Sequence, residues 1–128
     1  MKINLQGTNI ELTGAIRDYV TEKLVVVGKF FESSAATDEP LAEVEVGKTS
    51  QHHKHGIVYR AEINLRWSGQ YFRAEATASD LYPAIDEAKD ELLREIKTRR
   101  QKQGTRLRRG GRLIKNFLRG IYHRKEKY

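Results

Sequence analysis

The residues best suited to chemistry in this sequence are cations on one predicted helix, residues 79–102. Lys89, Lys97 and Arg100 share one flank of that helix, because successive residues are turned by about 100°. A helix that buries its apolar face and aligns cations beside it can hold those cations against a polyanion. Acids fill the first half of the stretch and bases the second, an order that suits the helix dipole, so a solvated charged face is the competing interpretation.

A regular apolar stripe would hold this helix against a core. The apolar positions recur at three- and four-residue spacing, the period of one helix face: Leu81, Ile85, Ala88, Leu92 and Ile96. Ser79 or Asp80 can cap the start, and Pro83 is tolerated in the first turn. Gly104 is predicted to end the helix or to lie just beyond it.

Lys23 is a second candidate, on a predicted helix whose start Thr13 can cap. Its angle places it inside the apolar stripe of that helix, so its side chain either extends outward along its own methylenes or is a cation held at the domain rim for a ligand. No carboxylate partner for it is visible in the sequence. Asp86 and Asp90, one turn apart on the later helix, have the spacing of a carboxylate pair but are predicted to belong to its solvated acidic half.

A polar loop carries a cluster of histidines, in which His52 and His53 precede Lys54 and His55. A metal site is not expected, because no carboxylate or thiolate lies nearby to complete it. The loop is instead predicted to be partly protonated and able to approach phosphates.

The sequence lacks the residue sets that catalysis would need. There is no cysteine, which excludes disulfides, thiol catalysis and cysteine-ligated zinc. The serines and threonines occur in neither a nucleophile elbow nor a nucleotide-binding Walker sequence. We therefore expect no enzymatic activity, no cofactor and no small-molecule substrate.

The formal net charge of +7 is distributed unevenly along the chain. Residues 1–103 carry 15 Lys and Arg against 16 Asp and Glu, whereas residues 104–128 carry 9 against one, a net charge of +8. The sequence thus predicts a nearly neutral domain, residues 1–103, followed by a basic tail, residues 104–128. A cationic tail of this kind indicates a nucleic-acid or anionic-membrane partner.

The tail contains one Arg-Gly-Gly sequence and apolar residues at helical spacing between positions 113 and 121. A helix of that length is marginal alone in water, so we expect the free tail to be largely disordered or loosely docked. Its predicted phosphate-binding residues are Arg106, Arg108, Arg109, Arg112, Lys115 and Arg119.

The remaining pattern predicts an α+β fold. Apolar and polar residues alternate near residues 2–6, 41–47, 57–67 and 71–77, and Ser68-Gly69 is a two-residue hairpin signal. With the two helices, the order is β-α-β-β-β-α. Because each helix has one apolar stripe and each strand one apolar face, we predict a two-layer sandwich with both helices on one face of a four-stranded sheet.

Length and hydropathy limit the setting in which this domain works. At 128 residues the chain is long enough for one core and too short for two ordinary domains. The N-terminal residues lack the apolar run of a signal peptide, and no stretch approaches a membrane span. We therefore expect a cytoplasmic protein.

Three stretches together resemble the ribosome hibernation-promoting factor family, also called ribosome-associated inhibitor or protein Y. They are INLQGTNIELTGAIRDYVTEKL, VEVGKTSQHHKHGIVYRAEINL and FRAEATASDLYPAIDEAKDELLREIK, so the resemblance covers about residues 1–102. It implies a β-α-β-β-β-α fold with both helices on one sheet face. It also implies a non-enzymatic protein that binds the small ribosomal subunit, occupies the channel of messenger RNA and transfer RNA anticodon ends, and silences translation during ribosome hibernation.

The same resemblance implies that ribosomal RNA, with neighbouring ribosomal proteins, is the partner of the two helices. The bases that it places on ribosomal RNA are Lys23, Arg94, Lys97, Arg100 and Lys102. The family usually has Lys where this chain has Glu91, and often another near Thr98, so this second helix is less cationic. The tail does not resemble the dimerising domain of the family's long form, which implies a short-form factor that is monomeric when free.

Two other functions stay open on the sequence alone. One is a general structured-RNA-binding module, because a sheet with helices on one face is also the plan of double-stranded-RNA binders. The other is binding to a membrane surface through an interfacial helix at residues 112–122, which we rank below RNA binding.

Overall fold

The computed structural model describes residues 1–31, 38–49 and 56–117, with side chains described as far as residue 102. The elements in chain order are strand β1 (Lys2–Thr8), helix α1 (Gly14–Gly28), a 3-10 turn (Lys29–Phe31), strands β2 (Leu41–Lys48), β3 (Tyr59–Trp67) and β4 (Gln70–Ala78), and helix α2 (Leu81–Phe117). This order confirms the predicted β-α-β-β-β-α arrangement. The chain forms two compact units, Met1–Ile96 and Lys97–Tyr128, and the sheet and α1 belong to the first.

The four strands form one mixed sheet in the order β1-β2-β3-β4. β1 runs parallel to β2, whereas β2, β3 and β4 are antiparallel neighbours. The register aligns apolar residues in rows across all four strands, with Ile3, Ala42, Leu65 and Phe72 in one row and Leu5, Val44, Ile63 and Ala74 in the next. Because side chains alternate along a strand, these rows form a single apolar face.

Both helices lay their apolar stripes on that face. The buried residues of α1 are Ile16, Val20, Leu24 and Val27. Those of α2 within the first unit are Leu81, Ala84, Ile85, Ala88, Leu92 and Ile96. They share one hydrophobic core with the apolar rows of the strands, which confirms the predicted two-layer sandwich with both helices on one side.

The helix starts follow the predicted caps. Thr13 Oγ1 accepts a hydrogen bond from the backbone N–H of Ile16 at 3.2 Å, which satisfies one free donor in the first turn of α1. Asp80 Oδ1 accepts from the backbone N–H of Leu81 at 2.8 Å, at the start of α2. Pro83 lies within the first turn of α2, where a backbone N–H would have no helical partner.

The predicted end of the second helix is wrong. α2 continues through Gly104 and ends at Phe117, so residues 104–117 are helical. Each glycine costs about 1 kcal/mol relative to Ala, but Arg, Lys and Leu favour a helix, and extending an existing helix needs no new nucleus. Residues 118–128 lie outside the described part of the chain. Among the helices that the structure describes, none is both long and apolar enough to cross a membrane.

The β3–β4 hairpin turns at Ser68 and Gly69, whose φ angles of 50° and 77° confirm the predicted two-residue turn. Two hydrogen bonds fasten the segment before β2 to this hairpin. Trp67 Nε1 donates to the backbone oxygen of Asp38 at 3.1 Å, and Asp38 Oδ2 accepts from the backbone N–H of Ser68 at 2.9 Å. The chain therefore enters β2 from a fixed position.

Candidate nucleic-acid interface

One flank of α1 contacts one flank of α2 beside the core. Two of the predicted cations lie on this shared surface. We call this surface the helix seam and define it by Tyr19 and Lys23 of α1 with Tyr82, Asp86 and Lys89 of α2. In each helix these residues follow one another at three- or four-residue spacing, so they share one flank. All five are half-buried, which leaves them partly open to a ligand.

Asp86 joins the two helices. The Tyr19 hydroxyl donates a hydrogen bond to Asp86 Oδ1 at 2.7 Å, and Lys23 Nζ forms an ion pair with the same oxygen at 3.6 Å. The sequence placed Asp86 in the solvated acidic half of the helix; its side chain is 40% exposed, and its carboxylate is also engaged from α1. Lys23, for which the sequence showed no carboxylate partner, has one in the folded chain.

The hydrogen bond to Asp86 raises the pKa of Tyr19 to about 12, and burial and the negative charge of Asp86 act in the same direction. Deprotonation would remove the donor and place two negative charges side by side. The Tyr19 hydroxyl therefore remains a donor throughout the physiological pH range.

The tyrosine rings of the seam pack beside the ammonium group of Lys23. Tyr19 and Tyr82 meet edge to face, with ring centroids 4.6 Å apart and planes at 80°, a geometry worth about 0.5–1.5 kcal/mol beyond its buried area. Lys23 Nζ lies 5.1 Å from the centroid of the Tyr19 ring, within the range of a cation–π interaction. The Lys23 side chain is 30% exposed, so it is held by a ring and a carboxylate while part of it stays accessible.

The next two cations along α2 also form ion pairs with acidic residues. Lys89 Nζ lies 2.8 Å from Asp90 Oδ1, and the Lys89 side chain is 18% exposed. Arg94 pairs with Glu91, one turn before it, and is 65% exposed. Surface pairs of this kind contribute about 0–1 kcal/mol, so a contact with a phosphate can replace them.

Three further predicted cations, Lys97, Arg100 and Lys102, lie on the part of α2 that belongs to the second unit. All three are exposed, and the three-residue spacing of Lys97 and Arg100 puts them on one flank of the helix. The predicted residues outside the described side chains are Arg106, Arg108, Arg109, Arg112, Lys115 and Arg119 of the tail and His52, His53 and Lys54 of the loop.

The opposite face of the sheet carries cations that acids already surround. We call the group Glu45, Arg60, Glu62, Arg73 and Glu75 the ion network. Arg60 donates to Glu75 at 3.0 Å, to Glu62 at 3.1 Å and to Glu45 at 3.3 Å. Arg73 donates to Glu62 at 3.0 Å and to Glu75 at 3.3 Å. Because each arginine of the ion network faces at least two carboxylates, this part of the face suits a polyanion less well than the helix seam does.

Sequence reasoning found the cations but did not assign Tyr19 or Tyr82 to the site. The available signal was their position, because Tyr19 lies one turn before Lys23 and Tyr82 one turn before Asp86. That spacing shows which residues share a flank of one helix. It does not show that Tyr19 meets Asp86, 67 positions later in the chain.

A model of the protein family described as Sigma 54 modulation protein / S30EA ribosomal protein matches residues 3–104. The matched range begins inside β1 and stops inside α2, beyond Ile96, where the first unit ends. It therefore contains the complete helix seam and almost all of the sheet.

Curated relatives are similar over about the same length of chain. A ribosome hibernation promotion factor from Picosynechococcus sp. is 31% identical over 103 residues, which are 80% of this chain, and the chain spans about half (50%) of that protein's length. A ribosome hibernation promoting factor from Klebsiella oxytoca is 31% identical over 102 residues, 80% of this chain and 96% of the relative. The crystal structure of the Thermus thermophilus Protein Y N-terminal domain matches with a TM-score of 0.62 at 35% identity, covering 77% of this chain and 98% of that one.

Proposed function

The chain belongs to the ribosome hibernation promoting factor family, and on that premise we propose that it binds the small ribosomal subunit and silences translation. The family is non-enzymatic. In the proposed complex the protein occupies the channel of messenger RNA and of transfer RNA anticodon ends. Occupation of that channel excludes both ligands, so the ribosome is kept inactive.

The observation that carries this proposal is the family match over residues 3–104, because it includes the folded unit and the cations of α2 as far as Lys102. The match covers 96% of the Klebsiella oxytoca relative and 50% of the Picosynechococcus relative. We also propose that the protein is monomeric when free and acts in the cytoplasm.

The proposed contacts with ribosomal RNA begin at the helix seam, with Lys23 and Lys89. They continue along α2 through Arg94, Lys97, Arg100 and Lys102, and through the tail residues Arg106, Arg108, Arg109, Arg112, Lys115 and Arg119. The loop residues His52, His53 and Lys54 are proposed as additional phosphate contacts. The nearly neutral first 103 residues gain little from long-range attraction, so the net charge of +8 beyond them supports a role for the tail in binding.

Co-sedimentation with purified small ribosomal subunits tests the proposed function directly. The full chain should sediment with small subunits, and an excess of messenger RNA with transfer RNA should displace it. Duplex RNA of matched length and vesicles of phosphatidylglycerol with phosphatidylcholine serve as the competing targets. Equal binding to free duplex RNA would favour a general RNA-binding module, and binding to vesicles alone would favour the membrane surface.

A salt series separates the contribution of the tail. Replacing Arg108, Arg109 and Arg112 by Gln in the full chain should weaken subunit binding most at low salt, because each neutralised phosphate releases condensed counterions. The slope of log K against log salt should become shallower by about 0.7–0.9 for each phosphate that the variant no longer neutralises. Parallel slopes for the variant and the wild type would show that these residues do not touch RNA.

A further inference from the structure

Asp86 is an acid in the middle of a surface proposed to bind a polyanion. The neighbouring Glu87 is exposed on α2, whereas Asp86 is engaged by two residues of α1. A carboxylate at such a position repels phosphate, so its presence calls for a compensating role. The contacts of Asp86 with Tyr19 and Lys23 indicate what that role is.

We infer that Asp86 and Tyr19 are positioning residues, which hold the ammonium group of Lys23 where it contacts a phosphate of ribosomal RNA. The inference rests on the proposed function and deepens it, because it assigns roles to two residues that carry no positive charge. It also makes Lys23 of α1 part of a surface whose other cations lie on α2.

The distances in the seam suit this role. Tyr19 occupies Asp86 Oδ1 with a hydrogen bond of 2.7 Å, which fixes the orientation of the carboxylate. Lys23 Nζ lies 3.6 Å from that oxygen, farther than a normal hydrogen bond, so its three donors stay available to a phosphate. The carboxylate therefore attracts the ammonium group without using up its hydrogen-bonding capacity.

The ring of Tyr19 limits the movement of the lysine in a second direction. Lys23 Nζ lies 5.1 Å from the ring centroid, and Tyr82 braces the ring edge to face at 4.6 Å. A lysine on an open helix surface loses much side-chain freedom when it binds a phosphate. Since Lys23 is already restrained in the free protein, less freedom remains to be lost on binding.

The raised pKa of Tyr19, about 12, agrees with this arrangement. The hydroxyl stays protonated at the pH of any ribosome-binding experiment, so it continues to donate to Asp86. The restraint is thus constant over the conditions in which the protein would act.

The direction in which one substitution changes the affinity for RNA distinguishes positioning from simple electrostatics. Asp86→Asn removes a negative charge from the surface, and charge alone predicts tighter binding to RNA. Positioning predicts weaker binding, by about threefold to tenfold, because Lys23 loses the charge that attracts it. Glu87→Gln is the matched control, since it makes the same charge change one residue away and should leave binding unchanged or make it slightly tighter.

The experiment measures the affinity of full-length variants for purified small subunits at one salt concentration. Tyr19→Phe keeps the ring and every charge but removes the hydroxyl, and it should weaken binding by about twofold to fivefold. In a Lys23→Gln background, Asp86→Asn should cause no further weakening, because the residue that it positions is gone. Circular dichroism and thermal melting confirm that each variant is folded.

Several results would overturn the inference. One is that Asp86→Asn binds as tightly as the wild type or more tightly, and another is that Glu87→Gln weakens binding as much as Asp86→Asn does. A third is that Asp86→Asn still weakens binding in the Lys23→Gln background, which would indicate a merely structural role for Asp86. If Asp86→Asn fails to fold, Tyr19→Phe decides, and unchanged binding by that variant overturns the inference. Absence of binding by the wild type would instead refute the proposed function itself, so the two failures are distinguishable.

Discussion

Arg60 and Glu75 are joined by two hydrogen bonds of 3.0 Å each, from Nε to Oε1 and from Nη2 to Oε2, between the neighbouring strands β3 and β4. Glu62 lies directly opposite Glu75 in the register of these strands, so two carboxylates face each other across the sheet. Arg60 also donates to Glu62 at 3.1 Å. The guanidinium therefore offsets a repulsion that the strand pairing itself creates.

Replacing Arg60 by Gln should lower the free energy of unfolding by about 1–2 kcal/mol, since Arg73 alone would then offset the repulsion between Glu62 and Glu75 on a partly solvated face. Urea denaturation followed by circular dichroism measures the change. Arg66→Gln is the matched control, because Arg66 lies on the same face of β3 but outside the ion network, and it should cost less. Equal losses for the two variants would show that the ion network has no special effect on stability.

Stability should fall at acidic pH in a way that depends on Glu75. The hydrogen bond and charge of Arg60 hold the pKa of Glu75 below its usual value, so the folded protein favours the ionised form. A depressed folded pKa gives stability that is present above the unfolded pKa of about 4.3 and is lost as the pH falls through the folded value. The difference in unfolding free energy between wild type and Glu75→Gln should therefore be steady near neutral pH and shrink below about pH 4. A difference that stays constant as the pH falls below 4 would contradict a depressed pKa of Glu75.

Leu92→Ala should destabilise the fold by about 2–5 kcal/mol through lost burial and the cavity that it leaves. Leu92 is fully buried, with 0% of its surface exposed, and it lies on the core face of α2. The adjacent Leu93 is only partly buried against the same core, so Leu93→Ala should cost clearly less. Thermal or urea unfolding of both variants tests the assignment of helix faces, and equal losses would contradict it.

Gly47→Ala should destabilise the pairing of β1 with β2. A Cβ atom at Gly47 would lie 2.3 Å from the backbone oxygen of Thr8, closer than packed atoms approach, so one strand would have to move. Gly14→Ala makes the same chemical change at the start of α1, where nothing lies within 4 Å. The control should be neutral or stabilising by about 0.4–1 kcal/mol. A Gly47→Ala variant that unfolds like the wild type would show that the strands adjust without cost.

Reversing the charges of Lys97 and Arg100 together, to Glu, should weaken small-subunit binding by about 1–3 kcal/mol for each charge-assisted hydrogen bond to RNA that the change removes. Both side chains are exposed, so the fold should be retained. Lys2→Glu with Arg66→Glu is the matched control, because it reverses two cations on the polar face of the sheet. Equal weakening by the two pairs would mean that net charge, rather than the flank of α2, determines affinity.

Periodicity in the sequence was sufficient to predict the order of the elements and the faces that they bury. Alternation from Tyr59 to Trp67 identified the apolar face of β3, and the spacing of Leu81 to Ile96 identified that of α2. The caps at Thr13 and Asp80 were also readable, because a cap depends on residues only one turn away. The end of α2 could not be predicted in the same way. A glycine weakens a helix but does not by itself end it, because the residues on either side can remain helical.

The cations of the candidate interface could be named from the sequence, but their partners could not. The helical angle placed Lys23 inside the apolar stripe of its helix, whereas its contact with Asp86 and its place in the seam depend on how two helices cross one sheet. The requirement for glycine at position 47 could not be predicted from the sequence either, because it arises from the backbone of Thr8 on another strand.

What the sequence by itself determined is therefore local: the elements, their buried faces, their caps, and the uneven charge, nearly neutral over residues 1–103 and strongly basic over residues 104–128. Tertiary structure alone decided which flank of α1 meets which flank of α2, and so which acid holds Lys23. The physical reason is that side-chain periodicity depends on residues within one or two turns. Contacts such as Tyr19 with Asp86 arise only when a shared core brings distant flanks into register.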